Sequence, residues 1–546
     1  MIKKVFIYAG WMYSHSKGVR LRVAVNVCIG MVNVALSMGF VLVSKALVDT
    51  ATGVRSGNLL YLAILAGAVM LLRALLGAFA SRLENVTSSK LNFTLRRNLF
   101  DLLIHRRWDG RDSRHSGDLI NRLESDVYSV VSVICTDIPY IAVTVFQLLA
   151  AVALLCTMDA RLAAFLVIMT PLLLLLSKSF FRKVRGITGG MRVSVGKIQS
   201  HLQESLRHGV MLRAMENEDA VASRMDALQG EEYSSVVKRA NINVFAGSLV
   251  SVAFAGGYLA AFLRGVYGIS AGKISFGVMT SFLQLVGQIQ RPLSGLIRQI
   301  PSLVYATSSI DRLMEIENIP QEEKSAPVMM DAPIGIRISG LHFSYPDSQR
   351  DIYKGLSADF APGSRVAVVG ETGAGKSTLV RLMLSILKPS SGTLELYNDS
   401  GAVPVSASTR CNFVYVPQGN SLLSGTVREN LLIGDPDADE SRMRDALHTA
   451  AAEFVMDLPD GLDTAVGEGG AGFSEGQAQR IAIARALLRP GSILLLDEFS
   501  SSLDPETEET LINRLNEKAA GKTIVFITHR QKISSRCNAQ CRIESA

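Results

Sequence analysis

The chain has 546 residues, 48% of them hydrophobic, and its mean hydropathy is +0.26. It is too long for one ordinary domain and more apolar than most soluble proteins, so composition excludes a small soluble protein. The formal net charge is +7, but Lys and Arg gather between apolar runs rather than beside aromatic residues, which favours a membrane protein with no nucleic-acid partner.

The N-terminal segment, MIKKVFIYAGWMYSHSKGVRLR, lacks a compact apolar core followed by a small-residue cleavage site. We interpret it as a basic amphipathic segment at the membrane surface. Apolar runs long enough to cross about 30 Å of hydrocarbon follow. They lie near 21–48, 58–82, 130–157, 161–181, 243–268 and 274–300. These runs predict an all-α membrane domain of six helices in the lipid bilayer, over residues 1–317.

The connections between these spans are unequal. Segments 83–129 and 182–242 are long, helix-patterned and rich in Lys and Arg. The positive-inside rule places both in the cytoplasm, and an even number of spans places both chain ends there too. We expect a multi-pass protein of a bacterial-type cytoplasmic membrane. The tight turns of the two long loops, within 105–123 and 206–225, are candidates for docking on a soluble domain.

A segment rich in Pro, Glu and small residues, PQEEKSAPVMMDAPIG, predicts a linker at 318–335. Residues 336–546 then alternate short β-branched runs with helical stretches. The runs include RVAVVG, CNFVYVP, SILLLDE and TIVFITH. This alternation predicts an α/β domain with a parallel or mixed sheet covered by helices.

The RVAVVG strand runs directly into a glycine-rich loop and a helix. The loop has the pattern G-x-x-x-x-G-K-S, and its candidate residues are Gly370, Thr372, Gly373, Gly375, Lys376, Ser377 and Thr378. Glycines let backbone N–H groups curl around a β-phosphate, Lys376 neutralises the β- and γ-oxygens, and the Ser377 hydroxyl binds Mg²⁺. A chance glycine turn is the alternative, but it does not require this strand–loop–helix context. The pattern predicts a site for ATP and Mg²⁺.

The run SILLLDE is a buried strand that ends in two carboxylates. Asp497 is suited to lie beside Mg²⁺, and Glu498 beside the attacking water as a general base. Either acid alone fits an ordinary strand end. Together with the phosphate loop they predict nucleotide hydrolysis.

With these motifs the chain resembles the ATP-binding cassette (ABC) transporters, of the exporter fold that joins one six-span region to one nucleotide-binding domain. The resemblance implies further roles within 335–530. Gln418 in YVPQ resembles the Q-loop glutamine, which contacts Mg²⁺ and the membrane domain. Tyr345 in FSYP resembles the aromatic that stacks on adenine, and His529 in FITHR the switch histidine at the γ-phosphate.

Two further segments carry the resemblance. SSLD, ending at Asp504, resembles the D-loop, and TAVGEGG around Glu468 resembles the exporter loop that touches the coupling helices. Taken singly, Gln418, Tyr345 and His529 also fit a strand-end cap, a rim aromatic and a surface residue. Their order around the phosphate loop and the acidic strand favours the functional interpretation.

The segment GFSEGQ precedes the helical run QRIAIARALL. Ser474 and Gln477 have the spacing of a capping box, which by itself only begins a helix. The segment also resembles the family's signature sequence, which faces the phosphate loop of a second cassette, and there Ser474, Gly476 and Gln477 imply contact with the γ-phosphate. Phe473 replaces the usual Leu and Glu475 the usual Gly. We favour a Glu475 carboxylate that faces solvent in the first helical turn.

The candidate substrate-contacting residues are polar and charged residues within the predicted spans. The last span carries polar residues on one helical face, at Gln284, Gln288, Arg291 and Arg298. They fit the lining of a pathway for a polar or anionic substrate, but the two arginines also fit the cytoplasmic end of any span. Arg73 in the second span and Lys178 in the fourth add to the first interpretation, with the same objection.

The resemblance implies an ATPase coupled to transmembrane transport, which works as a dimer of half-transporters. A homodimer is favoured because one chain holds every part of the composite site, and a heterodimer remains an alternative. The main hypothesis is the export or flipping of a lipid, peptide or other amphipathic substrate. An importer on the same fold, for example of a metal chelate, and an ATP-gated module without transport are the alternatives.

Overall fold

The structure is a computed structural model that describes residues 2–108, 116–323, 325–345, 350–371, 373–518 and 521–544. Within these ranges it leaves out the side chains of 2, 3, 116, 166–185, 188, 189, 192, 291, 294, 297, 298 and 468. The chain divides into two compact units. Unit 1 comprises Met1–Phe100 and Ile120–Glu315, and unit 2 comprises Asp101–Leu119 and Ile316–Ala546.

Unit 1 is helical. Its helices are α1 (Ile2–His15), α2 (Arg20–Ala51), α3 (Leu59–Ile104), α4 (Ser116–Asn121), α5 (Val127–Ser132), α6 (Ile138–Met158), α7 (Ala160–Arg207), α8 (Gly209–Ala214), α9 (Glu218–Ser270) and α10 (Phe276–Glu317). Helices α4, α5 and α6 are joined by the π-helical turns Arg122–Asp126 and Val133–Asp137.

Four helical segments are long and apolar enough to cross a membrane among the residues searched. They are Arg20–Ala51, Leu59–Ile104, Gly117–Met158 and Glu218–Ser270. Each continues beyond the about 20 residues that a span needs. The other two predicted spans, 161–181 and 274–300, fall on α7 and α10, parts of whose side chains lie outside the description.

Polar contacts join the helices of unit 1 where apolar packing alone would leave the register free. Both π-helical turns end at a buried carboxylate, Asp126 and Asp137. Asp126 accepts hydrogen bonds from Ser309 and Arg312 of α10, and Asp137 accepts one of 2.6 Å from Ser302. These contacts fix α10 against the α4–α6 run.

Unit 2 contains the strands. They are β1 (Gly335–Ser344), β2 (Asp351–Phe360), β3 (Arg365–Val369), β4 (Ser391–Asn398), β5 (Gly401–Pro404), β6 (Phe413–Val416), β7 (Gly425–Thr426), β8 (Ala465–Val466), β9 (Ile493–Asp497), β10 (Thr523–Ile527) and β11 (Ala539–Arg542). The helices after β1 are α11 (Lys376–Met383), α12 (Val427–Leu432), α13 (Glu440–Thr449), α14 (Glu475–Leu487), α15 (Pro505–Lys518) and α16 (Gln531–Ser534).

The strands form a parallel sheet in the order β11-β3-β10-β9-β6, an antiparallel sheet β2-β1-β4-β5 and the pair β7-β8. All residues of β9 and β10 are buried, which is why their sequences are continuous apolar runs. Alternate residues of β9 enter two cores: Leu495 packs with α11 and the antiparallel sheet, and Leu494 with α12 to α15. The predicted α/β class is confirmed.

The segment between α10 and β1 is held by backbone hydrogen bonds to the end of α3. Arg107 N–H donates to Pro320 O at 2.9 Å, and Glu322 N–H donates to His105 O at 2.9 Å. The Glu322 carboxylate accepts two bonds from the Arg410 guanidinium, at 2.7 and 3.0 Å. The predicted linker is thus tied to residues 105–107 and to Arg410, all within unit 2, although its composition suggests a free chain.

Candidate nucleotide-binding and active site

The predicted phosphate loop connects β3 to α11, and its backbone requires glycine. Gly373 and Gly375 have φ of 85° and 106°, a region that favours glycine. A Cβ atom on Gly375 would lie 2.6 Å from Ile352, and one on Gly370 would lie 2.5 Å from the Ile543 carbonyl oxygen. The loop therefore fits closely between β2, β11 and α11. Thr372 lies outside the described residues.

Lys376 begins α11 and is 8% exposed. Its ammonium group donates to the carbonyl oxygens of Gly370, at 2.8 Å, and Glu371, at 2.9 Å. These bonds hold the cation within the curve of the loop, where the free backbone N–H groups of a helix N-terminus also favour an anion. The arrangement is suited to phosphate.

The predicted adenine-stacking residue, Tyr345, is half-buried at the end of β1. Its hydroxyl lies 3.1 Å from Thr378 Oγ1 and accepts a bond of 3.2 Å from Arg381. The Arg381 guanidinium also lies over the Trp108 ring, 4.9 Å from its centroid. Arg381, which the sequence did not mark, thus joins Tyr345 to Trp108, in the turn region of the first long loop.

Asp497 ends the fully buried strand β9 and is 2% exposed. Burial raises the pKa of its carboxyl group above the ordinary value, and the neighbouring Glu498 adds to the rise; a hydrogen bond from Ser377 opposes it. The Oδ1 atom is buried and has no hydrogen-bond partner among the described residues. A buried carboxylate oxygen without a donor, beside a serine hydroxyl, fits the oxygen ligands that Mg²⁺ takes.

Glu498 lies between two of the predicted catalytic residues. The Gln418 side-chain amide donates to Glu498 Oε2 at 2.6 Å, and His529 Nδ1 lies 3.6 Å from Glu498 Oε1. The backbone of Glu498 has φ of 45°, which is rare for a residue other than glycine. Strain of this kind persists where the surrounding structure imposes it, and often at functional sites.

A buried amide supports this backbone. Gln479 of α14 is 0% exposed, and its side-chain N–H donates to the Glu498 carbonyl at 3.4 Å. Sequence reasoning missed Gln479, because the signature resemblance ends at Gln477. The sequence did contain a signal, because Gln479 lies on the apolar face of the QRIAIARALL helix. A buried amide needs a hydrogen-bond partner, so its position predicts a polar contact there.

The cap of α14 has the predicted form. The Ser474 hydroxyl accepts a bond from Gln477 N–H at 3.2 Å, and the Gln477 side-chain oxygen accepts one from Ser474 N–H at 2.9 Å. A Cβ atom on Gly476 would lie 2.6 Å from the Ser502 carbonyl oxygen. Glycine is therefore required there by the chain's own predicted D-loop, a reason that the sequence did not suggest. Glu475 is exposed in this chain.

Asp504 caps α15: its side chain accepts a 2.9 Å bond from Thr507 N–H, which lowers the pKa of the carboxyl group. The residue after His529 also contacts this region. The Arg530 guanidinium lies 2.9 Å from the carboxylate of Glu508 and donates to Ser501 O at 3.3 Å. The Glu468 side chain lies outside the description.

In unit 1 the candidate substrate residues are only partly described. Gln284 donates to Ser44 of α2 at 3.0 Å, and the Gln288 carbonyl accepts from Gln147 of α6 at 3.2 Å. The Gln284 side chain and the Gln288 backbone thus take part in helix–helix contacts, while the Gln288 side-chain oxygen is buried with no hydrogen-bond partner among the described residues. The Arg73 Nε–H donates to Asn33 Oδ1 at 3.1 Å. The side chains of Arg291, Arg298 and Lys178 lie outside the description.

Comparison with known proteins covers both units. The family model of the ABC transporter transmembrane region matches residues 23–293, and the family model described as ABC transporter matches residues 353–501. YgaD of Bacillus subtilis, named provisionally as a multidrug export ATP-binding/permease protein, is 27% identical over 94% of this chain and 90% of its own length.

A fatty acid ABC transporter ATP-binding/permease protein of Mycobacterium bovis is 28% identical over 85% of this chain and 74% of its own length. Among solved structures, a bacterial Atm1-family ABC exporter with ATP bound superposes with a TM-score of 0.80 at 24% identity, covering 97% of this chain and 95% of that one. This structural match confirms the predicted fold. The chain belongs to the ABC transporter family, with one membrane-spanning region and one ATPase domain that couples ATP hydrolysis to transport.

Proposed function

We propose that this protein exports or flips an amphipathic substrate across the cytoplasmic membrane, as a homodimer powered by the hydrolysis of Mg²⁺-bound ATP. The observation that carries the proposal is the setting of Glu498. Its carboxylate lies between Gln418 and His529 at the end of a buried strand, one residue after the orphaned oxygen of Asp497. This arrangement is suited to a general base beside a phosphate site.

Each residue of the nucleotide site has a separate role in this proposal. Lys376 and the backbone N–H groups after Gly373 bind the phosphates, and Tyr345 stacks on the adenine ring. Asp497, Ser377 and Gln418 would hold Mg²⁺, which supplies positive charge against the phosphate oxygens when it is bound. Glu498 accepts the proton of the attacking water, and His529 donates a hydrogen bond to the γ-phosphate.

The capped end of α14 supports a dimer. Ser474 is exposed while its cap is complete, and Gly476 faces the chain's own Ser502. We infer that Ser474, Gly476, Gln477 and Asp504 complete the ATP site of a second copy. Two copies then form two equal sites, because each chain holds both halves.

The names of two relatives support the substrate and its direction, and the charge of the long loops supports the orientation of the chain. One relative is named as a multidrug export protein, which supports export, and another as a fatty acid transporter, which supports an amphipathic substrate. The Lys and Arg content of segments 83–129 and 182–242 supports a cytoplasmic ATPase domain.

The test uses the Glu498→Gln variant with Glu506→Gln, an exposed acid on α15, as the matched control. Loss of the base should lower ATP hydrolysis by about 10²- to 10⁴-fold while ATP still binds. In inside-out vesicles, ATP-driven accumulation of a fluorescent fatty acid should disappear in Glu498→Gln and persist in the control. Accumulation only in right-side-out vesicles would refute export, and accumulation that is indifferent to Glu498 would refute the pump.

A further inference from the structure

Arg73 is a cation inside an apolar span. It lies on α3 within the predicted span 58–82, and its Nε–H donates to Asn33 Oδ1 of α2 at 3.1 Å. None of the most apolar stretch of α3 is buried within unit 1. The Arg73 side chain itself is half-buried. The rest of this stretch of α3 is open to lipid, to a second copy or to a transport pathway.

Its depth follows from the helix geometry. Arg82, the next cation on α3, follows nine residues later (82 − 73 = 9), which is about 13 Å along the helix. An arginine in the hydrocarbon is costly and is normally paired. The guanidinium has five N–H donors and stays charged, and the Asn33 oxygen accepts only one of these bonds.

The sequences of the six predicted spans place no carboxylate at that depth. Of the six predicted spans, only 130–157 contains an acidic residue, Asp137. The adjacent Thr136 hydroxyl donates to Glu84 Oε1 at 2.7 Å, so Asp137 lies level with Glu84. Glu84 is eleven residues beyond Arg73 (84 − 73 = 11), about 16 Å along α3.

Arg264, another arginine of a predicted span, has a carboxylate partner, whereas Arg73 has none among the described residues. Arg264 lies near the outer end of a span and pairs with Asp159 at 2.7 Å. Since the acidic residues are absent from the sequence of the other five spans, an identical second copy cannot supply Arg73 with a carboxylate either. An anion from outside the protein would supply the missing negative charge beside Arg73 and Asn33.

We propose that Arg73, together with Asn33, binds the anionic head of an amphiphile, a carboxylate or a phosphate, inside the membrane domain. Arg73 supplies the charge and a planar set of donors that matches either group. Asn33 accepts from Arg73 through its oxygen, so its amide nitrogen offers two further donors beside the same site. The inference rests on the proposed transport function and adds the charge class of the substrate.

The experiment measures ATPase stimulation by the full-length protein in phosphatidylcholine nanodiscs, with palmitate against hexadecanol. The variants are Arg73→Gln, Arg73→Lys and, as the matched control on the same helix, the exposed Arg82→Gln. For the wild type we expect half-maximal stimulation at a palmitate concentration at least about tenfold lower than that of hexadecanol. Arg73→Gln should remove this difference, Arg73→Lys should keep part of it, and Arg82→Gln should keep all of it.

Two sources of the anion are distinguished by lipid composition. Stimulation by phosphatidylglycerol nanodiscs alone, lost in Arg73→Gln, would assign the site to a membrane lipid, whereas a response to palmitate only would assign it to a free amphiphile; either supports the proposal. An unchanged palmitate preference in Arg73→Gln overturns it. If that variant does not assemble by gel filtration, Arg73→Lys decides: a retained preference supports the site, and equal responses overturn it.

Failure of this inference is distinguishable from failure of the proposed function. If the wild type responds equally to palmitate and hexadecanol and Glu498→Gln loses both responses, the protein transports amphiphiles but has no site for a charged head. A wild type that hydrolyses ATP, ignores both compounds and accumulates neither would overturn the amphipathic substrate and the anion site together.

Discussion

Replacing Arg530 with Met should destabilise the ATPase domain and slow its catalysis, because one side chain joins three segments of the site. The guanidinium lies 2.9 Å from the carboxylate of Glu508 on α15 and donates to Ser501 O at 3.3 Å. The Arg530 backbone N–H donates to Thr528 Oγ1 at 3.0 Å, a bond that the substitution keeps. The residue before it, His529, contacts Glu498.

The magnitude follows from burial. The Glu508 side chain is 6% exposed, and removing one partner of a buried ion pair costs about 3–5 kcal/mol, because a charge is left without compensation. The Arg530 side chain is 31% exposed, so water screens part of the interaction and we expect the lower end, about 3 kcal/mol. For a domain of this size each kcal/mol moves Tm by about 2–4 °C, which predicts a fall of about 6–12 °C.

The assay is scanning calorimetry of the purified protein, with Lys532→Met as the control. Lys532 pairs with Glu509, but both side chains are about half exposed, so its loss should move Tm by less than about 2 °C. The double variant Arg530→Met/Glu508→Leu should recover most of the stability, because apolar replacement of both partners is often neutral. If the double variant is as unstable as Arg530→Met, or if Arg530→Met matches Lys532→Met, the ion-pair reasoning is wrong.

Three other outcomes are expected. Glu475→Gly should change ATPase activity by less than about twofold, since the side chain is exposed at a helix N-terminus; a large gain would mean that the carboxylate restrains the site. Gly476→Ala should cost about 1–3 kcal/mol and lower kcat, because its Cβ would lie 2.6 Å from the Ser502 carbonyl oxygen; a normal Tm would contradict this. Without nucleotide and with Mg²⁺ chelated, Asp497→Asn should raise Tm at pH 7, because burial raises the pKa of Asp497 and its ionised form is unfavourable. That advantage should shrink as the pH falls towards the raised pKa, and an Asp497→Asn protein less stable at every pH would contradict it.

The motifs of the ATP site were predictable because each depends on local geometry. Gly375 and Lys376 are marked by a strand, a turn with positive φ and a helix N-terminus, all within one short segment. The capping box of Ser474 and Gln477 likewise needs only neighbouring backbone. Long apolar runs indicated the membrane helices for the same reason, since a span is defined by its own length and composition.

Only the tertiary structure showed which distant residues meet. Gln418 and His529 are 111 positions apart (529 − 418 = 111), and the parallel order of β6, β9 and β10 brings their loops to Glu498. Gln479, Arg381 and Arg530 were not marked by the sequence, because a buried polar residue in an amphipathic helix has no local signature until its partner is known. The structure also added a reason for Gly476, contact with Ser502, beside the predicted approach to a phosphate. Composition and local geometry thus determined the elements and the chemistry, whereas packing between elements decided which side chains act together.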